Sequence, residues 1–235
     1  MTKRFEGQLA LVTGASRGIG AATAKALAAE GAHVILTART AGGLEEVEEA
    51  IHAAGGNATI APLDLIETDS IARLASAVAE RWGALDILVL NAATLGSLSA
   101  VPAIDAKEFA KVLTLNVSAQ QALIAAFDPL LRKSGRARVV AITSKVGRQP
   151  RAFWGAYGAS KAAFETLVQS YGEEVEGISN VRVAILDPGA TRTAMRERAY
   201  PGEDPASVKP PETVANRIAD LIASDNVSGH VERVD

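Results

Sequence analysis

Tyr157 and Lys161 are the pair of residues in this sequence best suited to chemistry, because they stand four residues apart in the segment WGAYGASK, residues 154–161. The segment predicts the beginning of an α-helix, in which this spacing places both side chains on one face. A free tyrosine has a pKa of about 10, and a nearby ammonium favours the phenolate. We therefore expect Lys161 to bring the pKa of Tyr157 toward the working range of a general acid or base. The alternative is an ordinary contact between exposed side chains of a helix.

Six runs of apolar and β-branched residues predict the strands that would position this pair. They alternate with longer helical patterns and are almost continuously hydrophobic, which is typical of parallel strands covered on both faces. The runs are residues 9–13, 33–38, 58–63, 86–91, 137–143 and 181–186. The sequence therefore predicts an α/β fold with a doubly wound parallel sheet, a Rossmann fold of about seven strands with helices on both faces. The proline-rich stretch around residues 190–211 is expected to be a substrate lid.

Composition limits the classes of protein to consider. The 235 residues, 48% hydrophobic and 22% charged, predict a single domain that spans residues 1–235. No apolar run is long enough to span a membrane and no signal-peptide pattern precedes the first strand, so we expect a cytoplasmic protein without membrane contact. With no cysteine and three scattered histidines, a metal site is not expected. The net charge of -3, without a basic block, argues against nucleic acid and leaves a small molecule as the expected partner.

A glycine-rich segment, residues 13–20, lies between the first predicted strand and the helix that follows it. This position offers the N-terminus of a helix to a phosphate group. Gly14 would allow the turn, Gly18 the close approach of a pyrophosphate, and Gly20 the tight packing of helix on strand. The segment predicts a dinucleotide site, with a tight structural turn as the alternative.

Charge at the end of the second predicted strand indicates which dinucleotide would bind. That strand ends at Ala38, and the next residue is Arg39 rather than an acid that would repel a 2′-phosphate. Arg39 and Arg17 would meet at the ends of adjacent strands, where both could bind the adenosine 2′-phosphate through charge-assisted hydrogen bonds. We therefore expect NADP(H) to be preferred over NAD(H). The alternative is a pair of solvated arginines.

Four motifs follow one another in the order found in one enzyme family. They are TGxxxGIG at residues 13–20, an Asp after the third strand at Asp64, a Ser after the fifth at Ser144, and YxxxK at Tyr157 and Lys161. With these motifs the chain resembles the short-chain dehydrogenase/reductase family over essentially its whole length. Residues 146–149 and 191–195 also resemble a narrower group of bacterial NADP-type members whose substrate is unassigned.

The resemblance implies a role for each matching residue in hydride transfer between a nicotinamide and a carbonyl/alcohol pair. Tyr157 would exchange a proton with the substrate oxygen, Ser144 would donate a hydrogen bond to that oxygen, and Lys161 would hold the nicotinamide ribose. Asn116 would complete the catalytic set. Alternatively, Asn116 is a simple irregularity within a helix and Ser144 caps a turn. The implied cofactor-binding residues are Gly14, Ser16, Arg17, Gly18, Ile19, Gly20, Arg39, Asp64, Leu65, Asn91, Ala92, Tyr157, Lys161, Pro188, Gly189, Thr191 and Thr193.

Two segments depart from the family pattern. The family's NNAG after the fourth strand is here Leu90-Asn91-Ala92-Ala93, so a methyl group at residue 93 would narrow the approach to the nicotinamide ribose. Asp187 stands where the family often has Asn. The altered NNAG segment leaves a second hypothesis open, a non-catalytic dinucleotide-binding regulator or scaffold on the same fold.

Two segments are expected to select the substrate. The first follows Ser144 and contributes Val146, Arg148, Gln149, Phe153 and Trp154. The second is the lid, where Arg192, Arg196 and Arg198 could select an acidic substrate such as a keto acid or a phosphorylated carbonyl compound. The alternative is that these arginines are solvated or pair with Glu197, Glu203 or Asp204.

Helical stretches at residues 109–131 and 156–171 carry apolar residues around much of their circumference. One face of a sheet would not bury all of them. We therefore expect these stretches to pack across a two-fold axis in a homodimer or homotetramer. The alternative is a thick, alanine-rich core.

Overall fold

Seven parallel strands form the central sheet of the computed structural model, which describes residues 3–224 and 230–234. They are β1 (Leu9–Thr13), β2 (His33–Ala38), β3 (Asn57–Pro62), β4 (Ile87–Leu90), β5 (Arg138–Ile142), β6 (Arg182–Asp187) and β7 (His230–Arg233). Their order across the sheet is β3-β2-β1-β4-β5-β6-β7. The predicted doubly wound sheet is confirmed, and each of the six predicted strands agrees with its observed counterpart to within one residue at either end.

Eight helices connect and flank the strands in the part of the chain that the structure describes. They are α1 (Gly18–Ala29), α2 (Ala41–Ala53), α3 (Thr68–Trp82), α4 (Ala106–Leu113), α5 (Ala119–Lys133), α6 (Gly155–Val175), α7 (Ala194–Ala199) and α8 (Pro211–Ala223). A π-helical turn, Thr114–Ser118, joins α4 to α5. Helix α3 ends at Gly83, whose φ of 79° is in the left-handed region that glycine adopts without steric cost.

The helices cover the sheet in two layers, each with its own apolar core. On one face α1, α2 and α8 bury residues such as Leu27, Leu44 and Ile218 against the strands. On the other face α3, α5 and α6 contribute residues such as Ile71 and Phe127. Because both faces are covered, β1, β4 and β5 are buried along their whole length, which explains their continuous hydrophobic runs.

The strand order reverses between β1 and β4, which are neighbours in the sheet although β2 and β3 lie between them in sequence. In open α/β sheets such a switch point leaves a crevice beyond the carboxyl ends of the strands, and ligands bind there. The fold therefore directs the loops after β1, β4, β5 and β6 toward one site.

The surface of α4, α5 and α6 bears on the predicted assembly. A single chain already buries five of the apolar side chains on which that prediction rests: Val112, Leu123, Phe127, Phe164 and Tyr171. The other five side chains of that set are less well covered: Phe109, Leu113 and Ala163 are half-buried, and Ala159 and Leu167 are exposed. The premise that one sheet face would not bury all of them is therefore confirmed. Leu167 is the larger of the two exposed side chains. The homodimer or homotetramer stays a prediction.

A search of the described residues finds no helix that is both long and apolar enough to cross a membrane. The same residues contain no group of histidine and acidic side chains arranged to hold a metal ion.

Candidate active site

The glycine-rich segment of residues 13–20, predicted to bind phosphate and called the phosphate loop below, runs from the end of β1 into α1 and is shaped by three glycines. Gly14 and Gly18 have φ angles of 66° and 56°, which are strained for residues with a side chain. A Cβ atom on Gly20 would lie 2.2 Å from the carbonyl oxygen of Gly14, so only glycine lets α1 pack this closely on the loop. The turn predicted at Gly14 and the close packing predicted at Gly20 are both confirmed.

Hydrogen bonds tie this loop to the one after β4. The Thr13 hydroxyl donates to the carbonyl oxygen of Val89 (3.0 Å) and accepts from the backbone N–H groups of Asn91 (2.9 Å) and Ala92 (3.0 Å). The Asn91 side chain donates to the carbonyl oxygen of Thr13 at 2.9 Å. Asn91 and Ala92 are therefore held beside the phosphate loop at the switch point of the sheet.

A cavity of about 760 Å³ extends from this switch point along the carboxyl ends of the strands. Arg17 and Arg39 line one part of it together with Asp64 and Leu65, which follow β3. Both arginines are exposed. Neither has a carboxylate partner among residues 3–224 and 230–234, so no described acid compensates the charge of either arginine.

Tyr157, Lys161 and Ser144 line another part of the cavity. Tyr157 and Lys161 lie in the first two turns of α6 and are 7% and 3% exposed. Lys161 Nζ donates a hydrogen bond to the carbonyl oxygen of Ile142 (2.7 Å) at the end of β5, two residues before Ser144. The predicted helix start brings this pair together at one wall of the cavity.

The pKa values of the pair differ from the prediction. Burial raises the pKa of Tyr157 above its usual value, and the charge of Asp187 raises it further. Burial also lowers the pKa of Lys161 to about 8. The prediction that Lys161 lowers the pKa of Tyr157 is wrong for the protein by itself: the ammonium is 5.8 Å from the centre of the phenol ring and donates to Ile142, so desolvation prevails.

Asn116 lies inside the π-helical turn between α4 and α5 and is 1% exposed. Its side-chain oxygen accepts from the backbone N–H of Thr94 (2.8 Å), while its nitrogen donates to the Thr94 carbonyl oxygen (2.9 Å) and to Ser160 Oγ (3.0 Å). Asn116 thus joins the loop after β4 to α6, the helix that carries Tyr157 and Lys161. Gln120, which sequence reasoning missed, supports the same turn by donating to the carbonyl oxygens of Ala92 and Leu115, both at 3.0 Å.

A charged network behind the cavity connects the segments that carry Ser144, Lys161 and Gly189. Glu165, one turn after Lys161, accepts from the Thr143 hydroxyl at 2.7 Å and lies 3.4 Å from Arg148 Nε. Arg148 Nη2 donates to Asp187 at 3.0 Å, and Asp187 also accepts from the backbone N–H of Gly189 at 3.0 Å. Sequence reasoning missed Glu165, since an acid on a helix is ordinarily solvated.

The segment after Ser144 contributes less to the cavity than predicted. Trp154 lines it, whereas Val146, Arg148, Gln149 and Phe153 are not among its described lining residues. Arg148 is instead directed at the two carboxylates behind the site. The structure does not bring these four side chains to the described lining, and their part in substrate selection stays a prediction.

The segment predicted to be a substrate lid contributes residues to the lining of the cavity. The loop after β6 begins with Pro188 and Gly189, where the Thr191 hydroxyl donates to the Pro188 carbonyl oxygen at 3.0 Å, and Thr193 Oγ1 accepts from the backbone N–H of Arg196 at the start of α7. Helix α7 lies within this segment.

A row of aromatic contacts joins the end of α7 to Tyr157. The rings of Tyr200 and Trp154 are 5.8 Å apart, and those of Trp154 and Tyr157 are 5.9 Å apart, between centres. Arg196 lies 3.7 Å above the Tyr200 ring and binds Glu203 through two hydrogen bonds of 2.7 and 2.5 Å. The lid is thereby docked on Trp154 and faces the phenol.

Comparisons with known proteins place this arrangement in a family. Residues 8–204 match the family model described as short chain dehydrogenase. The chain belongs to the short-chain dehydrogenase family. It is 36% identical over 222 residues to the uncharacterized oxidoreductase YciK of Escherichia coli K12, covering 93% of this chain and 87% of that protein.

Solved structures of other short-chain dehydrogenases share the fold. One from Pseudomonas syringae is 39% identical with a TM-score of 0.95, covering 99% of this chain and 96% of that chain. One from Shigella flexneri 2a, solved in complex with NADP, is 34% identical with a TM-score of 0.94, covering 99% of both chains. The resemblance to a bacterial group of short-chain dehydrogenases without an assigned substrate is confirmed.

Nearly all the residues predicted for a short-chain dehydrogenase site meet in the one cavity. Two predicted residues are not among its described lining. Gly20 packs behind the phosphate loop, and Asn116 forms hydrogen bonds with Thr94 and Ser160. The lining residues that were predicted are Gly14, Ser16, Arg17, Gly18, Ile19, Arg39, Asp64, Leu65, Asn91, Ala92, Ser144, Tyr157, Lys161, Pro188, Gly189, Thr191 and Thr193.

The departure from NNAG costs this short-chain dehydrogenase little in backbone geometry. Ala93 lines the cavity, but Phe153 is the one described non-glycine residue with a positive φ. Ala93 is therefore in a conformation that a residue with a side chain adopts without strain.

Proposed function

We propose that this short-chain dehydrogenase is an NADP(H)-dependent oxidoreductase that interconverts a carbonyl compound and an alcohol. One observation carries the proposal: Ser144, Tyr157 and Lys161 line the same cavity as Arg17 and Arg39, which have no carboxylate partner in the described part of the chain. A proton donor and an anion site joined by one cavity fit a phosphorylated dinucleotide beside a small substrate.

The residues at the switch point fit this cofactor. The positive φ angles of Gly14 and Gly18 open the loop at the N-terminus of α1, where backbone N–H groups attract phosphate. Arg17 and Arg39 would hold the 2′-phosphate, Asp64 and Leu65 the adenine, and Pro188, Gly189, Thr191 and Thr193 the nicotinamide end. The NADP complex of the Shigella relative supports the same choice of cofactor.

Tyr157 would donate its proton to the substrate oxygen during reduction and accept it during oxidation. The raised pKa of Tyr157 keeps the phenol protonated, which is the form that carbonyl reduction requires. Ser144 would donate a hydrogen bond to the same oxygen as it gains negative charge. Lys161, which Ile142 positions, would bind the nicotinamide ribose. When bound, the cofactor supplies or accepts the hydride.

The test is oxidation of NADPH with a panel of aldehydes and ketones, followed at 340 nm for the wild-type protein and two variants. We expect Tyr157→Phe to abolish turnover and to keep its affinity for NADPH, because the ring still fills its place. The matched control is Tyr171→Phe, which removes another buried hydroxyl from α6, one that donates to Asp128 and does not line the cavity. A Tyr157→Phe variant that keeps more than about a tenth of kcat, a loss below about 1.4 kcal/mol, would remove Tyr157 from this role.

The second candidate is a non-catalytic dinucleotide-binding regulator, and the altered segment Asn91-Ala92-Ala93 is the feature that favours it. Tight binding of NADPH without oxidation by any carbonyl compound of a broad panel would support this candidate. The homodimer or homotetramer, the cytoplasmic location and the substrate lid around residues 190–211 remain predictions from the sequence.

A further inference from the structure

The charges that line the cavity are strongly unbalanced. Among its described lining residues Asp64 is the single acid, and it follows β3 on the side of Arg17 and Arg39. The side beyond Tyr157 carries arginines and no carboxylate. The cationic residues of the whole lining are Arg17, Arg39, Lys161, Arg192, Arg196 and Arg198.

The three lid arginines differ in their partners. Arg196 forms a salt bridge with Glu203 and lies over the Tyr200 ring, so its charge is compensated within the lid. Arg192 and Arg198 are exposed and have no carboxylate within salt-bridge distance in the described part of the chain. Of the acids near them, Glu203 is occupied by Arg196, and Asp204 accepts from the backbone N–H of Ala206. Pairing with these acids, the alternative raised by the sequence, therefore holds for Arg196 and not for Arg198.

Arg198 reaches across the opening of the cavity. Its Nη2 atom is 3.5 Å from the carbonyl oxygen of Gly96, in the loop after β4, whereas its backbone belongs to α7. At this distance the carbonyl is a weak partner, and a neutral acceptor leaves the guanidinium charge uncompensated. A ligand anion would be a better partner than Gly96.

Apolar side chains line the same cavity as Arg198 and the phenol and form its apolar wall. Leu95, Trp154, Met195 and Ala199 contribute to it, and Trp154 contacts Tyr157 directly. The preceding residue, Phe153, has a φ of 71°, and its carbonyl oxygen accepts a hydrogen bond from the Ser99 N–H (3.1 Å). Strained backbone of this kind persists where surrounding contacts hold it, and here it presents Trp154 to the cavity.

We propose that the substrate is a carbonyl compound with a negatively charged oxyanion group, a carboxylate or a phosphate, which Arg198 binds at the mouth of the cavity. The apolar part of the substrate lies along Trp154, and its carbonyl group reaches Tyr157 and Ser144. Arg192 adds to the positive potential without being required for contact. This inference rests on the proposed function and names the substrate class of the same site.

The experiment measures binding rather than turnover. The protein saturated with NADP⁺ is titrated by calorimetry with 4-carboxybenzaldehyde, 4-formylphenyl phosphate and the uncharged methyl 4-formylbenzoate. Since the oxidised cofactor cannot reduce an aldehyde, the titration reports affinity whether or not the protein catalyses the reaction. We expect one or both anionic aldehydes to bind about 10-fold to 100-fold more tightly than the ester, and the stronger of the two identifies the group.

Arg198→Gln should bring the anionic aldehydes to the affinity of the ester, while Arg73→Gln, an equal change of net charge on an exposed part of α3, should leave the difference intact. Equal binding of all three aldehydes, a preference that survives Arg198→Gln, or no binding of the anionic aldehydes at millimolar concentration would overturn the proposal. Failure of the proposed function has a different signature, which is the absence of NADPH oxidation with every carbonyl compound.

Discussion

Replacing Arg148 by Met tests the charged network behind the active site. Arg148 bridges Glu165 and Asp187, whose side chains are 7% and 3% exposed. Met has a similar length and no charge, so the variant removes both contacts and leaves two carboxylates without their cation. Neither carboxylate can turn to water without breaking its other bond, to Thr143 or to Gly189.

The magnitude lies between two limits. Removing one partner of a fully buried ion pair costs about 3–5 kcal/mol, whereas an exposed pair contributes about 0–1 kcal/mol. The Arg148 side chain is 41% exposed, so water partly replaces it in the variant. We therefore expect the free energy of unfolding to fall by about 2 kcal/mol, which lowers the Tm of a protein of this size by about 4–8 °C.

Arg4→Met is a closely matched control. Arg4 also bridges two carboxylates from different elements, Glu30 and Asp220, and is 39% exposed, but these carboxylates are themselves 36% and 53% exposed. We expect its Tm to fall by less than about half as much, because water solvates the carboxylates that remain. Thermal unfolding followed by circular dichroism at neutral pH compares the two. Equal losses in both variants, or no loss in Arg148→Met, would refute the reasoning from burial.

Three further predictions concern the cofactor end of the site. In Gly20→Ala the new methyl group would lie 2.2 Å from the Gly14 carbonyl oxygen, so the free energy of unfolding should fall by about 1–3 kcal/mol. The control Gly42→Ala in α2, with no atom within 4 Å of the new methyl group, should raise it by about 0.5–1 kcal/mol. An unchanged Tm for Gly20→Ala would contradict this reasoning. Because burial lowers the pKa of Lys161 to about 8, its positive charge is lost as pH rises through that value, and NADPH affinity measured by fluorescence titration should weaken above it. A Lys161→Met variant with the same pH dependence would show that another group titrates. In the double variant Arg17→Gln/Arg39→Gln, kcat/KM for NADPH should fall by about 100-fold with little change for NADH. This figure is at the low end of the range for two charge-assisted hydrogen bonds, because solvent screens the two exposed arginines. Equal use of NADH and NADPH by the wild-type protein at low salt would mean that these arginines have another role.

Features that depend on neighbouring residues were predictable from the sequence. The strands were found to within one residue because the buried sheet demands continuous apolar runs. The phosphate loop and the Tyr157–Lys161 pair were found because backbone turns and helix faces follow from spacings of a few residues. Their meeting in one cavity follows from the parallel sheet, whose strands all end at the same edge.

The tertiary structure alone decided what surrounds those residues. Whether Lys161 lowers the pKa of Tyr157 depends on desolvation and on Ile142, which is 19 residues away in sequence, so spacing within α6 could not settle it. The partners of Glu165 and Asp187 lie 22 and 39 residues away, on segments that only the crossover connections bring together. Arg196 and Arg198 are two residues apart in sequence and both line the cavity, yet the fold pairs Arg196 with Glu203 and leaves Arg198 without a carboxylate partner among the described residues. The sequence shows which side chains can carry a charge. How water solvates each charged side chain and which partner it contacts are decided only when distant segments pack.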